Sequence, residues 1–268
     1  MKKCADLICE RLHSLCDSST RVAHDIEGWA DKGVSVCSFA WSATEALSVP
    51  LRHLNWTPWW GAEEEAAIMA ALKRLLEDAT VPKLAHNFAY EGFVWAWSSG
   101  IKIRGIGGDT MLKAATLFPE LDKALDVCAS IYTREPFWKH LGDTDDDETL
   151  ARYNALDAMI CFECDAAMEP LLEPGQRQYY QTQLALLEPT LSMMLQGIAY
   201  DQEARSAMLA QVQREIYEAQ GALDTLAGIA PPEFDEVAET VCFKRSLDKV
   251  KTWDDVLLHC KPTMKESL

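Results

Sequence analysis

Three short segments set acids, an amide and a phenol at spacings that could do chemistry. The first is His24-Asp25-Ile26-Glu27, at the end of an apolar-flanked run that reads as a strand. Period-two geometry puts Asp25 and Glu27 on one face, a few ångströms apart. Two carboxylates so placed repel each other unless a cation sits between them, and hard oxygen donors suit magnesium or manganese. A solvated strand end would carry the same pattern. The second segment is Ala85-His86-Asn87-Phe88-Ala89-Tyr90-Glu91, where a strand meets a helix. It offers the amide of Asn87 and the carboxylate of Glu91 to a site, or simply a helix cap and an exposed acid. The third is Tyr153-Asn154-Ala155-Leu156-Asp157. Helical i, i+4 spacing places its phenol and carboxylate on one face, as would an interfacial tyrosine beside a solvated acid.

Positioning these groups requires strands first and helices after. Arg21–Glu27, Val34–Trp41 and Leu47–Leu54 alternate or run apolar, and the Asp31-Lys32-Gly33 turn joins the first two into an antiparallel meander. A helix follows over Ala62–Asp78, with Ile68, Leu72, Leu75 and Leu76 at helical spacing and Glu63 to Glu65 at the positive end of its dipole. A short apolar stretch Val81–Ala85, a helix Tyr90–Ser99 and a strand Ile101–Ile106 come next; Gly107-Gly108 then lead into a helix near Asp109. Asp143–Met168 reads as one long helix with an acidic start. Such an order gives the α/β class, a mixed sheet with helices packed on it. Pro170 and Pro174 punctuate the chain and set an expected boundary between a domain over 1–170 and a smaller all-helical region over 171–268, with helices Gln176–Gln196, Gln202–Ala227 and one near Trp253–His259.

The composition bounds the setting. Of 268 residues, 49% are hydrophobic, so the chain is globular. No window approaches a membrane span, and acids come too early in the first ten residues for a secretory signal, which points to the cytoplasm and to no membrane partner. Nine scattered cysteines suit a reducing compartment, and Cys161-x-x-Cys164 lacks a second ligand pair at zinc spacing. With 42 acids against 25 Lys and Arg, the formal charge is −17, which by itself argues against a nucleic-acid partner.

The order and spacing of the three segments reverse that inference. Together they resemble the three motifs of the DEDD-type 3′–5′ exonucleases of the ribonuclease H-like superfamily, in the variant with tyrosine in the third motif. Gly108-Asp109-Thr110-Met111-Leu112 is similar to the Asp-Thr-Met segment that follows the second motif in the proofreading domains of family A DNA polymerases, and Leu187 to Asp201 with the helix after it resembles the passage into the polymerase thumb. The motifs cover residues 18–168, and the thumb-like part extends the resemblance over almost the whole chain. One position departs: the second motif ends in Glu91 where the family usually has Asp, a longer arm that can still serve a metal, often through water.

The resemblance implies a ribonuclease H-like fold and metal-dependent removal of nucleoside 5′-monophosphates from the 3′ end of single-stranded or frayed DNA. Two Mg2+ or Mn2+ ions would sit in the site, with Asp25 bridging both, Glu27 and Asp157 completing the shell of the first, and Glu91 supporting the second. Tyr153 would orient the attacking water. Asn87, Phe88 and Trp29 would contact substrate, the aromatics by stacking, with Trp56, Trp59 and Trp60 as further aromatics nearby; Asp109 is the fallback acid should Glu91 not serve, though its place in the Asp-Thr-Met segment resembles a structural position. No segment after Asp201 resembles the acidic palm motifs or the basic fingers helix, so a palm-and-fingers portion, in the same longer chain or a separate subunit, is the expected partner. Two other readings share these residues: a catalytically weak or inactive module that scaffolds a polymerase subunit, and an exoribonuclease of the ribonuclease D type. In any of them part of the −17 is an acid cluster that awaits cations, and part is solvated helix surface.

Overall fold

The computed structural model describes residues 2–227 and the strands 233–237 and 240–244. An amphipathic helix α1 (Lys2–Asp17), in a stretch where the sequence had suggested no element, precedes β1 (Val22–Trp29), β2 (Gly33–Ala40) and β3 (Ala46–Pro50). These strands form the expected antiparallel meander, with Asp25 opposite Ser38 and Val36 opposite Pro50. Helix α2 (Ala62–Glu77) then crosses over to β4 (Lys83–Ala85), and α3 (Phe88–Ser99) to β5 (Ile106–Asp109). The α3 crossover joins the parallel neighbours β4 and β5, whereas α2 carries the chain from the edge strand β3 past β2 and β1 to β4, which pairs parallel with β1; the sheet order is β3-β2-β1-β4-β5. After it come α4 (Thr110–Leu117), α5 (Leu125–Tyr132), a 3-10 turn Lys139–Gly142, the long α6 (Asp147–Met168), and α7 (Pro174–Gln196).

Every residue of β2 is buried, because helices cover both faces of the sheet's centre. One face carries Val22, Ile26, Cys37 and Phe39 against Leu12 and Leu15 of α1, Ile68 and Leu72 of α2, and Trp95 of α3. The other carries Ala23 and Ala40 against Cys128 of α5 and Ala158, Cys161 and Cys164 of α6. Asp25 and Glu27 share the parity of Ala23 and so belong to the α6 face. Near the end of β1 the register shifts between Glu27 and Gly28. A Cβ on Gly28 would come within 2.3 Å of the Gly33 carbonyl oxygen, so the bulge needs glycine there.

Several expected boundaries move. The alternating run Ile101–Arg104 is not a strand: its amides bond to helix ends, Ile101 N to Trp95 O at 3.2 Å and Arg104 N to Leu76 O at 2.9 Å, and pairing starts only at Ile106. Helix α6 begins at Asp147 instead of Asp143, because the Asp146 side chain caps it by accepting from Thr149 N. The expected boundary at 170 falls between α6 and α7, which lie in one compact unit ending at Gly197. A second unit holds α8 (Gln202–Leu226), capped by Asp201, and the antiparallel strands β6 (Glu233–Val237) and β7 (Thr240–Lys244). This strand pair departs from an all-helical tail; Phe234, Val237, Val241 and Phe243 give it strand composition. The helix expected near Trp253–His259 lies outside the described residues. Among the described residues, no helix is long and apolar enough to cross a membrane.

Candidate metal and active site

The three segments converge at the C-terminal end of β1. Oxygen atoms of Asp25, Glu27 and Asp157 lie within 4.8 Å of one another. Strand β1 supplies the first two. Helix α6 supplies the third from a buried stripe, Asn154, Asp157, Cys161, Asp165 and Met168, whose i, i+3 and i, i+4 spacing faces the sheet. Ser38 Oγ of β2 donates to the Asn154 carbonyl at 2.7 Å, which fixes that helix against the strand. Asn154 in turn donates through Nδ2 to Asp25 Oδ2 at 2.6 Å.

Glu91 joins from the first turn of α3. The chain reverses into this helix at Asn87, whose φ of 72° is a left-handed conformation that asparagine tolerates. Asn87 does not cap α3 with its own side chain. The cap comes from Asp109, whose carboxylate accepts from Phe88 N at 2.7 Å, more loosely from Asn87 N at 3.4 Å, and from Leu112 N of α4 at 3.0 Å. Asp109 is therefore a double cap, spent on backbone amides and buried. Glu91 is only 3% exposed, and its Oε2 is buried without a hydrogen-bond partner. An orphaned carboxylate oxygen beside three other acids is costly unless a cation completes it.

The electrostatics agree. Burial, then the neighbouring Asp157, Glu91 and Glu27, hold the Asp25 carboxyl well above its ordinary range. Burial and Asp157 push Glu27 up to about 7. Glu91 is raised well above the usual carboxylate range by burial, Asp109 and Glu27. Such a group of hard oxygen donors fits divalent magnesium or manganese.

Tyr153 stands one turn before Asp157, its ring packed on Gly142, where a Cβ would come within 3.1 Å of the ring. Burial and Asp157 push its phenol up to about 12. Sequence reasoning missed three neighbours. Lys139 Nζ donates to both Asp157 oxygens at 3.0 and 2.9 Å and to Tyr153 Oη at 3.0 Å; Trp138 Nε1 donates to Asp157 Oδ1 at 2.5 Å. Asn154, three residues before Asp157, could have been found by helical spacing. Lys139 and Trp138 arrive from an irregular segment that carries no such signal.

Comparison with known proteins sets this geometry in context. No family model and no curated protein matches the sequence. Among solved structures, the POL domain of Pol1 from M. smegmatis, in complex with DNA primer-template and dNTP, matches with a TM-score of 0.51 and 22% identity, over 81% of this chain and 36% of that one. A nuclease in its apo form matches at 0.51 and 14% identity, over 66% and 85% of the two chains. The chain shares the fold of these two structures. NrnC of Brucella melitensis also shares it, at 0.50 and 17% identity over 68% and 88%. The mixed sheet flanked by helices, expected from the motifs, is thus the architecture found, and this chain spans little more than a third of the Pol1 chain it resembles.

Within this fold the expected substrate contacts separate. Phe88 is fully buried against Ala85 and Leu187, so it cannot stack on a base; its place at the start of α3 aims the ring into the core. Trp29, at the end of β1, is 61% exposed. Asn87 lines an open cleft of about 550 Å³ together with Asp25, His86, Lys123, Lys139 and Asp157. Trp60 is buried and donates to the Pro50 carbonyl, Trp59 stacks on His53, and Trp56 lies under Lys32. Tyr90, next to Glu91, donates to the Gly28 carbonyl at 2.6 Å and so ties α3 to the bulge that follows Glu27.

Proposed function

We propose that this chain is a metal-dependent 3′–5′ exonuclease that hydrolyses the terminal phosphodiester of single-stranded or frayed DNA and releases nucleoside 5′-monophosphates. The observation that carries the reading is the convergence of Asp25, Glu27 and Asp157 within 4.8 Å, with the unpartnered Glu91 oxygen buried beside them. Asp25, Glu27 and Asp157 would hold the cations, with Glu91 as an outlying donor; when bound, divalent ions supply Lewis acidity for the attacking water and the leaving 3′ oxygen. Asn154 and Trp138 keep Asp25 and Asp157 in their present rotamers through hydrogen bonds. Tyr153 keeps its proton at neutral pH, since its phenol titrates near 12, so it orients water by hydrogen bonding and does not act as a base. A single strand entering the cleft would pass Asn87 at its 3′ end and could stack on the exposed Trp29.

DNA is favoured because the Pol1 structure, which has a higher identity, 22%, than the other two described, is in complex with a DNA primer-template. On this reading the chain is the proofreading part of a family A polymerase, and a palm-and-fingers portion is its partner. The second reading, an exoribonuclease of the ribonuclease D type, rests on the same three motifs. The test is a 5′-labelled single-stranded oligonucleotide with magnesium or manganese, in matched DNA and RNA forms. Stepwise shortening from the 3′ end that Asp25→Ala abolishes is expected. No shortening, or shortening that survives Asp25→Ala, overturns the nuclease reading, and a preference for RNA overturns the DNA half of it.

A further inference from the structure

Asp157 receives two kinds of donor. From the protein side, the indole of the buried Trp138 bonds Oδ1 and has no freedom to leave. From the cleft side, Lys139 bonds both oxygens with an ammonium on a flexible four-carbon stem, and its side chain stays 27% exposed. That ammonium also bonds Tyr153 Oη, and it stands over the Tyr153 ring at 5.0 Å. It therefore lies on the same carboxylate that, with Asp25 and Glu27, could hold a divalent ion. A monovalent ammonium and a divalent cation cannot share those lone pairs without repulsion.

We infer that Lys139 is an exchangeable cation: it holds Asp157 and Tyr153 in place while the site lacks metal, gives up Asp157 when a divalent ion binds, and then contacts a phosphate oxygen of the strand in the cleft. The inference rests on the nuclease reading above. Its structural warrant is the division of labour on Asp157, in which Trp138 preserves the rotamer after Lys139 departs. Among the described residues, Lys139 and Lys123 are the two lysines lining that cleft, and a lysine released from a carboxylate there finds phosphate as its natural acceptor.

The test titrates the metal-free full chain with manganese by calorimetry, without nucleic acid, comparing wild type with Lys139→Met and Lys139→Arg. Lys139→Met removes the competitor and is expected to bind manganese about tenfold more tightly. Lys139→Arg, whose guanidinium grips a carboxylate with two parallel bonds, is expected to bind it about tenfold more weakly. A purely structural lysine would give weaker binding in both. At saturating manganese, Lys139→Met should also lose about a hundredfold in kcat on the labelled oligonucleotide, as when one donor to a transition-state oxyanion is removed. Equal manganese affinities in all three proteins, or weaker binding in Lys139→Met, overturn the exchange; an unchanged kcat overturns the phosphate contact. If Lys139→Met does not fold, as judged by circular dichroism, Lys139→Gln takes its place with the same expected tighter binding, since it too removes the competing charge. A wild type that binds manganese through Asp25 but cleaves nothing would overturn the nuclease reading, while the variant affinities still decide the exchange.

Discussion

At Glu91 stability and function pull apart. Its carboxylate is buried, its Oε2 has no partner, and its pKa is raised by burial, by Asp109 and by Glu27. Glu91→Gln removes a desolvated charge and keeps the volume, so the metal-free protein should gain about 1–3 kcal/mol in urea unfolding. The same change should lower metal-dependent cleavage, and a variant that loses both stability and activity would show that the acid is held by something other than a cation. Tyr153 makes the complementary case. Tyr153→Phe keeps the ring on Gly142 and deletes only the hydroxyl that Lys139 bonds. Its kcat should fall by about a hundredfold with KM little changed, since positioned proton and water contacts contribute on that scale; steady-state kinetics on the labelled oligonucleotide checks the split.

At the scale of elements, α6 carries the site at one end and an ionic lock at the other. Eight residues after Asp157, Asp165 is 1% exposed and accepts from Lys113 Nζ of α4 at 2.5 Å and from Arg21 beside β1 at 2.6 Å. Lys113 also reaches Glu169 at 2.6 Å, and Glu169 is bound by Arg177 of α7. This network joins the start of β1 to α4, α6 and α7, and so fixes the rotation of the helix that aims Asp157 at β1. Removing one partner of such a buried pair leaves a charge uncompensated. Lys113→Met should therefore cost about 3–5 kcal/mol in denaturant unfolding, and a cost below about 1 kcal/mol would mean that water or Arg21 compensates Asp165. Helix α3 is held differently, by packing and neutral bonds: Trp95 is fully buried and donates through Nε1 to His24 Nε2 at 2.8 Å, while His24 Nδ1 donates to the Ser38 carbonyl. With both ring nitrogens engaged and burial lowering its pKa to about 4, His24 stays neutral in the fold.

For the molecule as a whole, pH is where these groups sum. A histidine whose folded pKa is lowered gives stability that is complete above its unfolded value near 6.5 and is lost as pH falls towards about 4. Glu27 acts in the opposite sense: its folded pKa of about 7, against 4.5 unfolded, gives stability that is present at low pH and is lost as pH rises through 7. The two oppose each other between pH 4.5 and 6.5, so Glu27 is isolated by difference. Glu27→Gln should gain on the wild type as pH rises from 4.5 to 7 and level off above, by roughly 3 kcal/mol at most. Urea unfolding of the metal-free proteins across that range measures it, and a difference independent of pH would show that Glu27 is not desolvated. The sequence by itself determined the fold class, the meander, the long helix α6 and the short-range pairs Asp25 with Glu27 and Tyr153 with Asp157, because strand and helix periods fix which side chains share a face. Only the tertiary structure decided which of these faces meet: it joined β1 to α6 across 129 residues through the Asn154–Asp25 bond, buried Phe88 where a stacking ring was expected, and brought Lys139 from an irregular turn onto Asp157. Those outcomes depend on long-range packing and charge compensation, which no local period records.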